Sequence, residues 1–310
     1  MPRVSIIMTV RNGERYLSDA LSSLLSQSFS DIEIIVTNNG STDSTAEILA
    51  SVNDPRLKII SVDPFLNSTF ASGILKAFNA AIGEFVAVQD SDDFSENSRI
   101  EKQVHFLETH PSVGLVGCNF ELINEYDEHL FYTKASASSN KLMQQYAVGN
   151  QLAHSTIMFR RKIAVESGGY DTEFEHACDY KMALDILYAG HKISVIAEFL
   201  VKIRRHPDQE TALPSTAMIR SLNLLNLLQY AQELSFLTKS WRLKGRNQIT
   251  KAKFQIVLNL FHNGQKLDAF KYFGKIVLET PFYLSLYTIV RTLRGQLGDA
   301  PQPKKNGPTQ

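Results

Sequence analysis

The stretch that most constrains the fold is Glu84–Asp93, which reads Glu-Phe-Val-Ala-Val-Gln-Asp-Ser-Asp-Asp. Phe85–Val88 is a short, apolar, partly β-branched run, the pattern of a strand covered on both faces of a parallel sheet. It ends abruptly in three carboxylates, Asp90, Asp92 and Asp93. Residues two apart in an extended chain share a side, so Asp90 and Asp92 project together. Two carboxylates aimed at one point repel, and a divalent cation relieves the repulsion. Mg²⁺ and Mn²⁺ suit the arrangement, since they take one or two protein carboxylates and complete their shell with water and phosphate oxygens. The alternative is a solvated acidic turn with Ser95 capping the next helix.

Upstream, apolar runs at Val4–Val10, Ile32–Val36 and Leu57–Val62 read as strands. Between them, Leu17, Ala20, Leu21, Leu24 and Leu25 fall at helical spacing, a second helix contains Ile48 and Leu49, and Ser72–Ala81 gives a third. The polar segment from Thr37 to Asp43 reads as a loop opening the second helix, with Ser41 or Thr42 as its cap and Asp43 in its first turn. Ser95 starts a helix carrying Ile100, Val104 and Leu107, and Val113–Cys118 is a further strand. Strands alternating with helices predict an α/β fold with a largely parallel sheet. Ligands in such sheets bind beyond the carboxyl ends of the strands, so Thr9–Asn12, Asn38–Asp43 and Asp90–Asp93 would line one cleft.

Two nucleotide signatures are missing: the chain has no Gly-x-Gly and no Gly-Lys-Ser/Thr. A cleft with clustered carboxylates and no glycine-rich phosphate cradle points to phosphate held through a metal. In the second half, Phe120–Ile123 and Leu130–Tyr132 read as a strand pair, and Gln151–Arg161 as a loop running into a strand. Gly168–Asp171 is a turn, Glu175–Tyr180 opens a helix through Leu187, and Ile193–Ile196 and Phe199–Arg204 read as edge strands. From Ser215 the pattern is helical, and Asp299–Gln310 has the composition of a disordered tail.

Lys+Arg and Asp+Glu both number 32, which argues against a nucleic-acid partner. Cys118 and Cys178 are the only cysteines and form neither a disulfide framework nor a zinc pattern, which fits a reducing compartment. The start lacks a secretory layout, and no stretch reaches the roughly 18 apolar residues of a membrane span. The expected location is the cytoplasm, with peripheral attachment at the inner face of the cell membrane left open. The basic run Lys239, Arg242, Lys244, Arg246, Lys251 and Lys253, and the aromatic-rich stretch Phe282–Val290, have the composition of interfacial helices. The alternative is a helical subdomain with a solvated basic face. The oligomeric state stays open.

The motifs Val-Ser-Ile-Ile-Met-Thr-Val-Arg-Asn-Gly-Glu (4–14), Asn-Asn-Gly-Ser-Thr-Asp (38–43), Asp-Ser-Asp-Asp (90–93) and Arg-Ile-Glu-Lys-Gln (99–103) occur in order. They continue with Ala-His-Ser-Thr-Ile-Met-Phe-Arg-Arg (153–161), Gly-Gly-Tyr-Asp (168–171), His-Ala-Cys-Asp-Tyr (176–180) and Arg-His-Pro-Asp-Gln (205–209). As a set they resemble the family 2 glycosyltransferases with the GT-A fold, over roughly Val4 to Gln209. The resemblance implies a catalytic domain at 1–212, with a nucleotide-sugar half at 1–118 and an acceptor half at 119–212. A helical region at 213–298 and a tail at 299–310 would follow.

The implied activity is transfer of a sugar, with inversion, from a nucleotide-diphosphate donor to a hydroxyl of a saccharide or lipid-linked acceptor. By resemblance, Thr9, Arg11, Asn12 and Glu14 touch the nucleotide, Asn38 and Asn39 receive the base, and Asp90 with Ser91 lies on the ribose side. Asp92 holds the metal, Mn²⁺ or Mg²⁺, with His206 closing near the diphosphate; Asp179 is the catalytic base and His154 belongs to the acceptor side. Taken alone, Asp179 could be a helix-start carboxylate, His154 a strand-start histidine and His206 a turn residue.

Three positions depart from the family pattern. Asn38-Asn39 replaces a loop with at least one Asp, Ile74-Leu75 replaces a polar pair, and Cys178 replaces the acid before the base. An Asn carbonyl still accepts an N–H, without charge assistance. Loss of the neighbouring acid should lower the base's pKa relative to two adjacent carboxylates. The competing readings are a catalytically impaired nucleotide-sugar-binding or scaffold protein, favoured by the first two departures, and a nucleotidyltransferase. The latter lacks its glycine- and arginine-rich loop, since Thr9–Glu14 has one Gly.

Overall fold

A computed structural model describes residues 1–66, 68–135, 138–209 and 213–279, with side chains up to Ile276. The strands are β1 (Val4–Val10), β2 (Ile32–Asn39), β3 (Leu57–Val62), β4 (Phe85–Val88), β5 (Phe94–Ser95), β6 (Val113–Asn124), β7 (His129–Thr133), β8 (Met158–Arg160) and β9 (Lys192–Arg205). They form one sheet in the order β3-β2-β1-β4-β8-β6-β9-β5, with β7 paired to β6. β1 runs parallel to β2 and β4, β2 parallel to β3, and β6 parallel to β9, while β8 inserts antiparallel between β4 and β6. The expected α/β architecture is present.

The helices are α1 (Leu17–Leu25), α2 (Thr45–Ser51), α3 (Phe70–Ala80), α4 (Arg99–Thr109), α5 (Ser139–Gln145), α6 (Arg161–Glu166), α7 (Cys178–Tyr188), α8 (Ala217–Ala231), α9 (Lys239–His262) and α10 (Lys266–Glu279). All of β1 and β4 is buried, because both faces of the sheet are covered. Ile6, Met8 and Val10 pack with Leu17, Leu21 and Leu24 of α1 and Ile100, Val104 and Leu107 of α4. The alternate residue Ile7 and the β4 residues Val86 and Val88 face Ile74 and Phe78 of α3 and Met182 and Ile186 of α7. Period-two alternation of the strands against helical stripes thus divides the core in two.

Several expectations need correction. Val113–Cys118 and Phe120–Ile123 belong to one strand, β6, whose register shifts on either side of Asn119 rather than breaking. Ile193–Ile196 and Phe199–Arg204 likewise form one strand, β9, because Ala197 and Glu198 bulge out between the Cys118↔Ile196 and Asn119↔Phe199 pairs. It is internal, flanked by β6 and β5, not an edge. Ser95 does not cap α4: it lies in β5, donates to Gln89 Oε1 at 2.6 Å, and leaves Ser98 before the helix. Asn38 and Asn39 end β2 rather than sit in a loop. The cap position of α2 is Ser44, whose side chain makes no cap bond, while Asp43 Oδ1 accepts the Thr45 N–H at 3.0 Å.

The C-terminal helices pack on the second half of the sheet domain. Leu227 and Ala231 of α8, with Leu234 and Leu237 after it, join the core that holds α7. Tyr230 donates to Asp185 Oδ1 at 2.9 Å and stacks on Tyr188. In the basic run Lys239, Lys244, Arg246 and Lys251 are exposed, with Lys244 lying over the Trp241 ring, while Arg242 donates to the carbonyls of Gln232 and Leu234. No helix among the described residues is long and apolar enough to cross a membrane. The aromatic stretch 282–290 and the tail 299–310 lie outside the described residues.

Candidate functional site

The parallel register sets the site. Val10 is level with Asn38 and Ile7 with Val88, so the segments following β1, β2 and β4 leave the sheet at one edge. The chain entering β8 comes to the same edge, since β8 runs antiparallel to β4 and Ala87 pairs with Met158. A single 3-10 turn, His154–Thr156, precedes it and meets the acidic loop: the Asp90 N–H donates to Ser155 Oγ at 3.0 Å. His154 Nδ1 lies 3.4 Å from Asp90 Oδ1, and its Nε2 lies 2.8 Å from the Tyr170 hydroxyl. Both ring nitrogens are engaged, so His154 ties Asp90 to the turn after α6.

Beneath the loop lies Arg99, fully buried. Its guanidinium donates to the carbonyls of Val88 (2.8 Å) and Ile157 (3.2 Å), to Gln89 Oε1 (2.9 Å), to Ser95 Oγ (2.8 Å) and to Gln103 Oε1 (3.1 Å). It braces the end of β4 against the start of β8, the two places from which Asp90 and His154 depart.

Asp179, the second residue of α7, accepts from Asn150 Nδ2 at 2.7 Å through Oδ2 and from the Tyr180 N–H at 2.8 Å through Oδ1. It interacts electrostatically with both His154 and Asp90, which brings two of the expected carboxylates, Asp90 and Asp179, together. Burial pushes the Asp179 carboxyl above its ordinary value; the nearby His154 opposes this and Asp90 adds to it. The shift is upward even with Cys178 in place of an acid, because desolvation dominates. Burial would also raise Asp90, but the hydrogen bond and charge of His154 outweigh it and hold Asp90 low. Burial works to lower His154, and Asp90 reverses the direction.

On the other flank, His206 Nε2 lies 3.0 Å from Asp92 Oδ2, and Gln209 Nε2 donates to the same oxygen at 3.3 Å. Arg204 donates its main-chain N–H to Asp93 Oδ1 at 2.9 Å and its Nε to the Asp92 carbonyl at 3.1 Å. Tyr16 packs between Arg204 and His206. Thus β9 and the turn after it clamp the acidic loop from the side opposite His154. His206 Nδ1 is buried with no partner among the described residues. These residues hold no group of three or more His, Cys, Asp and Glu side chains able to bind a metal.

Several residues expected at the nucleotide also lace the first two loops together. Asn12 adopts φ 54° and donates its N–H to Ser41 Oγ at 3.0 Å, and its Oδ1 accepts the Thr42 N–H at 2.9 Å. Glu14 Oε2 accepts the Ser44 N–H at 3.1 Å. Asn38 Oδ1 accepts the Ser41 N–H at 3.2 Å, while Asn39 accepts from Ser68 Oγ and donates to the Thr69 carbonyl at 3.0 Å. Thr9 is buried with its hydroxyl unpartnered, Arg11 is exposed, and Ser91 is half-buried near Gly13. Ile74 is core and Leu75 packs against it, so no polar group comes from that pair.

In the sequence Arg99, Tyr170 and Gln209 stand out only as members of the ordered motifs, Arg204 only as the end of an expected strand, and Asn150 carries no signal. A buried arginine four residues before a glutamine on one helix face was the sign available for the Arg99–Gln103 pair.

Residues 5–167 match the family model described as Glycosyl transferase family 2, and the chain belongs to that family and is a glycosyltransferase. Relatives include a protein of Bacillus subtilis (strain 168) named as a glycosyltransferase, EpsE, 31% identical over 212 residues, which are 67% of this chain and 74% of that one. Another is the amylovoran biosynthesis glycosyltransferase AmsE of Erwinia amylovora, 28% identical over 66% of this chain and 77% of its own. The fold is shared with S. aureus TarS 1-349 in complex with UDP-GlcNAc (TM-score 0.58, 19% identity, 84% of this chain and 81% of that one). It is shared too with the mannosyltransferase PcManGT from Pyrobaculum calidifontis in complex with GDP-Man and Mn²⁺ (TM-score 0.59, 16% identity, 96% and 88%).

Proposed function

We propose that the protein is an inverting glycosyltransferase that moves a sugar from a nucleotide-diphosphate donor to an acceptor hydroxyl in cell-surface polysaccharide or glycolipid synthesis. The observation that carries the reading is the meeting of Asp90, His154 and Asp179 at one end of the sheet, with Asp92 on the same loop. The polysaccharide setting is supported by the name of the AmsE relative. In this reading residues 1–212 carry the chemistry, and the helices after them pack on its acceptor half.

The reaction is one displacement. The Asp179 carboxylate takes the proton of the acceptor hydroxyl while that oxygen bonds to the anomeric carbon. The bond from that carbon to the diphosphate oxygen breaks, and its electron pair leaves with the nucleoside diphosphate. A positioned base contributes about 10²–10⁴-fold. Asn150 and the Tyr180 N–H fix the carboxylate's direction. Asp90, kept ionised by His154, would accept from ribose hydroxyls.

Asp92 Oδ2 and His206 Nε2 face one another, and with no third protein ligand beside them they fit a cation that draws its remaining ligands from phosphate and water. Mn²⁺ or Mg²⁺ held there would supply positive charge to the leaving diphosphate.

The engaged amides of Asn38 and Asn39 favour one rival, a scaffold that binds donor weakly and does not turn it over. Nucleoside-diphosphate release from UDP-GlcNAc, UDP-glucose and GDP-mannose with Mn²⁺ separates the two. Release with at least one donor supports the enzyme, and binding with no release supports the scaffold.

A further inference from the structure

Asn150, whose amide holds Asp179, stands just beyond a buried turn, Tyr146–Val148, that follows α5. The turn is gripped from two sides. On one, the Tyr180 hydroxyl of α7 donates to the Tyr146 carbonyl at 2.5 Å, and the N–H of the same Tyr180 meets Asp179. On the other, Gln232 Nε2 donates to the Ala147 carbonyl at 3.2 Å, and Gly245 of α9 lies against that oxygen.

We propose that Gly245 and Gln232 are positioning residues for the base: they fix the Ala147 carbonyl, which sets the turn, and through it Asn150 and Asp179. This rests on the glycosyltransferase reading above and makes α8 and α9 part of its machinery. The family match ends at residue 167 and gives these helices no role. Three observations carry the proposal.

The first is the glycine. Gly245 is buried inside the 24-residue helix α9, where glycine is disfavoured relative to alanine. Space is what calls for it. A Cβ there would lie 2.6 Å from the Ala147 carbonyl oxygen and 2.0 Å from Gln232 Nε2. The amide end of Gln232 can swing aside, but the main-chain carbonyl moves only with its turn.

The second is the anchoring of the helices that press there. Arg242, three residues before Gly245, donates to the carbonyls of Gln232 and Leu234 and fixes the end of α8 against α9. Gln144 of α5 is bonded at both ends of its amide, donating to the Phe236 carbonyl at 2.7 Å and accepting the Thr238 N–H at 2.9 Å. The segment joining α8 to α9 is thus tied to the chain that enters the turn.

The third is the short path to the base. Ala147 is three residues before Asn150, and Gln151 Nε2 donates back to the carbonyls of Gln145 at 3.1 Å and Gly149 at 2.7 Å. The chain from 145 to 151 is closed on itself, so a displacement at Ala147 is passed to Asn150. Asn150 Nδ2 then carries it to Asp179 Oδ2 over a single 2.7 Å bond.

The test uses the full-length protein and follows nucleoside-diphosphate release to water, with Mn²⁺, from whichever of UDP-GlcNAc, UDP-glucose and GDP-mannose the wild type turns over fastest. Water stands in for the acceptor: its oxygen bonds to the anomeric carbon, Asp179 takes its proton, and the nucleoside diphosphate leaves with the electron pair of the broken bond. Asp179→Asn sets the floor. Gly245→Ala should lower kcat about 5- to 10-fold, a part of the ~10²-fold that a misplacement of about 1 Å costs. Its nucleotide Kd by calorimetry should stay within about twofold. Asn150→Ala should lower kcat about 10-fold, the loss of a hydrogen bond to a charged group. Adding Gly245→Ala to it should cost no more than about twofold further, because the path runs through Asn150. Gln232→Met keeps the length and loses the donor; it should follow the same pattern with a smaller loss, and it decides the matter if Gly245→Ala loses nucleotide binding. Ile256→Ala loosens α8 against α9 within a cluster that holds no residue of the turn, and should leave kcat within about twofold.

Wild-type kcat in Gly245→Ala and Gln232→Met, an equal loss in Ile256→Ala, or a fully multiplicative loss in the double variant with Asn150→Ala overturns the proposal. If the wild type then still releases nucleotide and Asp179→Asn does not, only the positioning role has failed. If the wild type releases none, or Asp179→Asn matches it, the reading of function has failed as well.

Discussion

Replacing Arg99 by Met removes the strut beneath the acidic loop and leaves its apolar stem in place. Five acceptors lose a donor, but not equally. Gln89 Oε1 keeps the Ser95 hydroxyl at 2.6 Å, and the Ile157 carbonyl keeps the Val88 N–H at 3.1 Å. The Val88 carbonyl and Gln103 Oε1 bear the loss. At ~1–3 kcal/mol for each buried group left unsatisfied, the two amount to about 2–6 kcal/mol. Part of this is returned. Burial holds the Arg99 pKa below its ordinary value, so the charge itself is costly where it stands. Replacing a buried ion by a well-packed apolar group recovers such a cost. The net expectation is a loss of about 2–4 kcal/mol. At ~2–4 °C per kcal/mol this lowers Tm by about 5–15 °C. Urea unfolding followed by circular dichroism measures the first quantity and calorimetry the second. Nucleotide affinity should fall as well, because Val88 and Ile157 anchor the segments carrying Asp90 and His154. A variant as stable as the wild type, with unchanged nucleotide affinity, would refute the assignment of Arg99 as a strut.

Asp179→Asn should lower kcat by about 10²–10⁴-fold with the donor Kd held within about twofold, and near-normal turnover refutes the base. The base must be ionised and its pKa is raised, so the wild-type rate should fall with decreasing pH through a midpoint above the ordinary ~3.9, a limb absent from the residual rate of Asp179→Asn. Asp92→Asn should flatten the Mn²⁺ dependence of nucleotide binding measured by calorimetry; an unchanged titration counts against Asp92 and His206 as the cation's ligands. Gly73→Ala would place a Cβ 2.3 Å from Thr9 Oγ1 and 3.0 Å from Asn39 Cγ, and this overpacking should destabilise by ~1–3 kcal/mol in urea unfolding.

The architecture was readable because the strands are short apolar runs with turn residues between them, and β1 and β4 are buried along their whole length. The strand breaks were not readable. In β6 and β9 a polar or bulged step, at Asn119 and at Ala197-Glu198, looks in sequence like a turn, and only the partner's register shows that the strand continues. Asp90, Asp92, His206 and Asp179 stood out because clustered titratable groups at a strand end or helix start have few structural uses. The roles of Asn12, Glu14 and Asn38 were hidden for the opposite reason. Small polar residues bond loop backbones as readily as they bond ligands, and here they bond Ser41, Thr42 and Ser44.

Four carboxylates crowd this edge of the sheet, and their surroundings give them different work. Asp93 is driven towards its neutral form by burial and by the charges of Asp92 and Asp90, and it accepts the Arg204 N–H; it is suited to holding the loop, not to carrying charge. Asp90 is held ionised against the same burial by His154, and it can accept from a neutral polyol. Asp179 lies between these cases: burial raises its affinity for a proton, Asp90 adds to this, and the charge of His154 opposes it. A general base needs this compromise, since one too acidic will not take the acceptor's proton and one too basic is already occupied. One histidine thus lowers the proton affinity of both Asp90 and Asp179. In the proposed mechanism this buried imidazole, held by the Tyr170 hydroxyl, would tune the base as well as pack beneath it.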